Sequence, residues 1–121
     1  LIEMEELAVM TGNHLIPTAS VKARIGGKEA VYSATGTGPV DAALKAVLGM
    51  LPMKVQLKDF NIEAISGGSD AIGHVTIAIE DEQGRIFDAC SSGDDIVLAS
   101  AEAMVNALNI LDRLDPKGKE K

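Results

Sequence analysis

The sequence predicts an α+β fold in which two pseudosymmetric βββα units form one two-layer domain. Three observations lead there. The order strand, strand, strand, helix is legible twice along the chain. Landmarks recur at nearly constant spacing: Thr11-Gly12 lies 55 residues before Ser66-Gly67, Val21, Ala23 and Ile25 lie 54 before Val75, Ile77 and Ile79, and Val40 and Ala43 lie 56 before Ile96 and Ala99. Each half would also leave one apolar face of a three-stranded sheet bare, which gives two halves a reason to pack together. Few letters repeat, so the repetition is one of pattern, which two unrelated hairpins and helices would also produce.

Glu6 to Thr11 carries apolar residues at mixed spacing ahead of Gly12-Asn13, a good turn pair, and reads as a short strand, with residues 1 to 5 either extending it or forming the end of a linker. Thr18 to Ile25 alternates, with Val21, Ala23 and Ile25 on one side and Ser20, Lys22 and Arg24 on the other. It is a strand with one wet face. Gly26-Gly27 marks a two-residue hairpin, and Lys28 to Thr35 returns. A helix follows from about Pro39 to Met50, stopped by Gly49 and Pro52. Lys54 to Ser66 is extended and offers Val55, Leu57, Phe60 and Ile62 as apolar surface before Gly67-Gly68-Ser69-Asp70 turns the chain. Ile72 to Glu80 alternates, Asp81 to Gly84 turns, and Arg85 to Ser91 returns. Ser92-Gly93-Asp94-Asp95 caps a second helix from about Ile96 to Leu111. The domain is thus expected over residues 1–115, with repeat one at about 5–52 and repeat two at about 53–112. Residues 116–121 form a polar tail with no reason to be ordered.

The chain has 121 residues, 46% hydrophobic and 24% charged, as one globular domain requires. Tyr32, Phe60 and Phe87 are the only aromatic residues, so the core must be built from aliphatic side chains and no stacking platform for bases is available. A net charge of -7 argues further against nucleic acid and anionic membranes. Cys90 is the single cysteine, which excludes an internal disulfide and makes a cytoplasmic location the default expectation. The chain opens in mid-pattern on Leu1-Ile2-Glu3-Met4, which raises the expectation of a piece of a longer protein.

The stretch with the densest local signals is Thr35 to Leu44. Gly36 and Gly38 loosen the backbone, Pro39 suits a first helical position, and Asp41 places a carboxylate in the positive first turn. Such a turn aims free N–H groups and a helix dipole at one point, which suits a carboxylate or phosphate, although a well-made helix start that binds nothing has the same appearance. Catalytic chemistry fares worse. His14 and His74 have no ligand at metal spacing, Cys90 reads as a buried or half-buried structural thiol, and Gly36-Thr37-Gly38 lacks the third glycine of a dinucleotide fingerprint. What remains is three junctions, 35–41, 66–71 and 91–95. Backbone N–H groups at the helix starts could hold a carboxylate, Asp41, Asp70, Asp94 or Asp95 an ammonium group, and Ala42, Ala43 and Ala71 leave room for an aliphatic side chain. Together these describe a free amino acid; each aspartate taken singly also fits an N-cap or turn role.

Gly36-Thr37-Gly38-Pro39-Val40-Asp41-Ala42, Ser66-Gly67-Gly68-Ser69-Asp70-Ala71 and Asp95-Ile96-Val97-Leu98-Ala99-Ser100 with Asn106-Ala107-Leu108-Asn109 resemble the C-terminal regulatory domain of 2-isopropylmalate synthases, and of the related citramalate synthases. The resemblance covers roughly residues 5 to 111. It implies two βββα units that dimerise and bind an end-product amino acid, leucine for the former enzymes and isoleucine for the latter. It further implies an effector site drawn from Gly36, Gly38, Pro39, Val40, Asp41, Ala42, Ala43, Asp70, Ala71, Gly93 and Asp95, the share of the second helix start being doubtful because it lacks a proline. The resemblance places the condensation of acetyl-CoA with a 2-oxo acid, and its divalent metal, in a TIM-barrel domain absent from this chain, so no cofactor is expected here. Three functions therefore stand: an effector-binding regulatory domain, a dimerisation module without a working ligand site, and a small stand-alone enzyme, for which no acid, base and nucleophile set is visible.

Overall fold

A computed structural model describes residues 2–51, 54–64 and 72–114. The elements in order are β1 (Ile2–Gly12), β2 (Leu15–Ile25), β3 (Lys28–Thr35), α1 (Pro39–Gly49), β4 (Gln56–Ala64), β5 (Gly73–Glu80), β6 (Ile86–Gly93) and α2 (Ile96–Leu114). They form two antiparallel three-stranded sheets of order β1-β2-β3 and β4-β5-β6, each followed by a helix. The chain divides into two compact units, Leu1–Pro52 and Met53–Lys121. The α+β class and both βββα units agree with the reading of the sequence.

In the first unit α1 lies over β2 and β3 and touches β1 more lightly. The central strand β2 buries Ala19, Val21 and Ala23 completely, every second residue, while α1 buries Ala42, Ala43, Leu44, Ala46 and Val47. The alternation follows from the pleat, and the helical set from a repeat near 3.6 residues. Between β2 and β3, Gly26 and Gly27 both take positive φ, 59° and 85°, the requirement of a two-residue hairpin turn that twists with its strands. In the second unit α2 lies over β5 and β6 and runs farther from β4. Val75, Ile77 and Ile79 of β5 are fully buried, as are Met104 and Leu108 of α2.

β1 is longer than its sequence suggested, and the reason lies in a bulge. The pairing with β2 shifts between Met4 and Glu6, so the half-buried or buried positions run Ile2, Met4, Leu7, Val9. One extra residue there breaks the period of two, which is why the spacing looked mixed. A second irregularity between Met10 and Gly12 lets β2 begin at Leu15 and keep Pro17 within a central strand. Proline gives no ladder donor, so a bulge is where a strand can hold it. β4 carries a matching bulge between Leu57 and Asp59.

These bulges also correct the repeat. Met4 and Glu6 pair with Ala23 and Lys22, whereas Leu57 and Asp59 pair with Ile79 and Ala78. Ala23 therefore corresponds to Ile79 and Val21 to Ile77, a spacing of 56 rather than 54. A shift of two residues leaves every side chain on its original face, so alternation alone could not detect it. Cys90 is corrected as well. On β6 the inward parity falls on Phe87, Ala89 and Ser91, which leaves Cys90 exposed. Ser66 to Ala71 and the tail 116–121 lie outside the described residues, and among those described no helix is long and apolar enough to cross a membrane.

Ile77 is completely buried and Ile86, on the next strand, is 57% exposed. Ile77→Ala should cost about 2–5 kcal/mol of unfolding free energy and Ile86→Ala less than about 0.5 kcal/mol, read from denaturant midpoints of the two variants.

Candidate functional site

The start of α1 is assembled from the end of β3, the connecting turn and the first helical turn. Gly36 N–H donates to Pro17 O at 3.0 Å and thereby extends the β2–β3 ladder by one bond. The chain then doubles back so closely that a Cβ on Gly36 would stand 2.6 Å from both Ala42 N and Asp41 Oδ2. Only glycine fits. Gly38 is the N-cap, with φ -162° and ψ 176°, and supplies no side-chain cap. Those angles are ordinary extended backbone, and a Cβ at Gly38 would meet nothing within 4 Å among the described residues. Of the two glycines, steric need belongs to Gly36.

Pro39 occupies the first helical position and has no N–H to lose. Ala42 N–H donates to Gly38 O at 2.9 Å and opens the helical ladder. The amides of Val40 and Asp41, which precede it, belong to the part of a helix that has no intrahelical partner. The N-cap, Gly38, gives them no side-chain hydrogen bond, and among the described residues no other side chain is recorded on them. The helix dipole adds partial positive charge at the same place. Asp41 does not sit over these amides: its Oδ2 accepts from Thr37 N–H at 2.9 Å and from Thr37 Oγ1 at 3.4 Å, and pairs with Lys45 Nζ at 3.1 Å. The Thr37 amide foremost, with Lys45 adding its charge, holds the Asp41 carboxyl below the usual 3.8. Val40 is half-buried, whereas Ala42 and Ala43 are buried completely and leave no open hole by themselves.

The second helix start has the opposite chemistry. Asp95 Oδ1 accepts from Val97 N–H at 3.0 Å and Leu98 N–H at 3.1 Å, while Ala99 N–H donates to Asp95 O at 2.9 Å. Asp95 is thus an N-cap that occupies the amides left open in α1. Gly93 has no steric reason to be glycine, since its Cβ would meet atoms only at 4.0 Å. Asp94 is exposed, and Asp70 and Ala71 lie outside the described residues. The structure therefore brings Gly36, Asp41 and Ala42 into mutual contact, with Pro39 and Val40 between them along the turn. Lys45 was missed by the reading of the sequence; its place four residues after Asp41 on a helix was the available signal.

Elsewhere, His74 Nδ1 and Ser92 Oγ lie 2.7 Å apart as a cross-strand pair on the exposed face of β5 and β6. Among the described residues no three His, Cys, Asp or Glu side chains gather as a metal site requires.

Two outcomes follow for the α1 start. Gly36→Ala should cost about 1–3 kcal/mol, because backbone must move, and Gly38→Ala less than about 1 kcal/mol; thermal unfolding orders them. Since the folded-state pKa of Asp41 is depressed, its contribution is fully present above 3.8 and is lost as pH falls from there through the folded value. The stability difference between the native chain and Asp41→Asn should accordingly be flat at neutral pH and shrink below 3.8.

The model of the LeuA allosteric (dimerisation) domain matches residues 1–111. A probable 2-isopropylmalate synthase of Methanosarcina mazei is 53% identical over 119 residues, 97% of this chain and 23% of that protein. The 2-isopropylmalate synthase of Methanocaldococcus jannaschii is 44% identical over 109 residues, 90% of this chain and 21% of its own length. A putative (R)-citramalate synthase of Methanopyrus kandleri is 41% identical over 114 residues, 91% of this chain and 22% of its own. The chain thus spans less than a quarter of these curated relatives. With its two βββα units and a match across nearly its whole length, the chain belongs to the LeuA allosteric (dimerisation) domain family.

Proposed function

We propose that this chain is the effector-binding, dimerising part of a 2-isopropylmalate synthase, that it binds leucine at the start of α1, and that leucine there inhibits a catalytic domain of the same enzyme. The observation that carries the reading is the difference between the helix starts: α1 is uncapped, whereas in α2 the Asp95 carboxylate fills the corresponding place. An α-carboxylate is the natural occupant of the Val40 and Asp41 amides. The ammonium group then needs an acceptor of its own, and the aliphatic chain rests on Val40, which is half-buried. The two charged ends fix orientation, and the room left beside them selects size.

Gly36, Gly38, Pro39, Val40, Asp41, Ala42 and Ala43 form or support this site; Gly93 and Asp95 serve α2. The chain needs no cofactor of its own. Acetyl-CoA, 2-oxoisovalerate and a divalent metal belong to the catalytic domain, and the whole enzyme works in the cytoplasm as a homodimer. Inhibition requires leucine to prefer one arrangement of domains or subunits, and couplings of about 1–3 kcal/mol change output several-fold to a hundredfold. A second reading, a citramalate synthase domain that binds isoleucine, is favoured by the 41% identity to the Methanopyrus kandleri relative.

Titration calorimetry with leucine and isoleucine decides between these. Gly38→Asp should abolish binding of the preferred amino acid while light scattering still shows a dimer, and should leave the full-length enzyme active but insensitive. The reason is electrostatic, since space at Gly38 is open and an aspartate there would set a negative charge where the effector's carboxylate belongs. Unchanged affinity in Gly38→Asp would remove the site from α1.

A further inference from the structure

We infer that Asp41 and Lys45 form a clasp that positions the turn before α1 and leaves its open amides uncovered and electropositive, and that Asp41 is therefore a positioning residue rather than the ligand of the effector's ammonium group. The inference rests on the effector site proposed above and adds the residues that hold its shape.

One oxygen is the centre of the clasp. Asp41 Oδ2 takes the Thr37 amide at 2.9 Å, the Thr37 hydroxyl at 3.4 Å and the Lys45 ammonium at 3.1 Å. Three donors leave that oxygen little capacity for a fourth, and the Lys45 charge at 3.1 Å weakens the pull of the whole carboxylate, its second oxygen included, on another cation. The arrangement is a capping box displaced by one residue: the third helical residue reaches back past the N-cap to the residue before it. The displacement matters because it ties down the turn without covering the first-turn amides. Asp95 ties down α2 by the other route, directly over those amides. The Gly36 contact completes the clasp, for its Cα side lies against the same Oδ2.

Charge makes Lys45 part of the device. A bare carboxylate beside the α1 amides would repel an incoming carboxylate and cancel the dipole that attracts it. Lys45, paired with Asp41 four residues on, neutralises that charge and leaves the amides electropositive.

The test compares leucine with 4-methylpentanoate, which is leucine without its amino group, in the native chain and in Asp41→Ala, Asp41→Asn, Lys45→Met and Lys45→Arg. Affinity is read by calorimetry, the Thr37 amide by hydrogen exchange and folding by thermal unfolding. Lys45 is an exposed side chain, 56% accessible, so its variants keep the fold. The clasp predicts that Lys45→Met weakens both ligands by the same factor, roughly two- to fivefold, and that Lys45→Arg restores them. It predicts that Asp41→Ala weakens both by roughly tenfold or more and speeds exchange of the Thr37 amide, with Asp41→Asn between. A loss confined to leucine would make Asp41 the ammonium ligand and overturn the inference. So would unchanged affinity for both ligands in the presence of faster Thr37 exchange. Failure of the native chain to bind either ligand would instead sink the effector site itself, and the Thr37 exchange rates would then show whether the clasp exists apart from it.

Discussion

The first unit depends on one close approach, that of the Gly36 backbone to the opening turn of α1. A methyl group at that position would stand 2.6 Å from backbone nitrogen and carboxylate oxygen alike. At the same residue the ladder between β2 and β3 receives its last bond, from Gly36 N–H to Pro17 O. One residue without a side chain thus ends the sheet and lets the helix begin directly above it. The burial of Ala42 and Ala43 against the core follows from that tight return, as does the reach of Asp41 back to Thr37.

Two helices in the same topological place need not present the same chemistry. α1 opens on glycine and proline, which leaves its first amides to whatever approaches from outside. α2 opens on Asp95, whose carboxylate consumes those donors. Both helices face the problem of orphan N–H groups at their first turn. Only the second meets it with an N-cap side chain, so an internal repeat of fold does not entail a repeat of chemistry at the helix starts.

The helices also cover their sheets unequally. α1 reaches all three strands of its sheet, whereas α2 covers β5 and β6 and leaves β4 aside. Leu57 and Ile62 pair with Ile79 and Val75 on the core side of the sheet yet remain 41% and 42% exposed. That exposure comes from where the helix lies, since the strand itself alternates around a bulge like its counterpart β1.

Local chemistry determined much from the sequence alone. Alternation placed β2 and β5, Gly26-Gly27 announced a hairpin that the positive φ angles of both glycines require, and proline with glycine marked where α1 starts. Such signals are legible because they act between residues close in the chain. Family membership was legible for a different reason, through three short motifs in order. Tertiary structure decided what depends on partners distant in sequence. Alternation cannot register a shift of two residues, so the equivalence of Ala23 and Ile79 within their own units waited for the bulges. Parity on β6 turned Cys90 outward. Gly36 and Gly38 look alike as letters, and only the returning helix shows that one of them is forbidden a side chain and the other is not. Asp41 and Asp95 are likewise both aspartates at a helix start, and geometry alone sends one carboxylate away from the first amides and the other onto them.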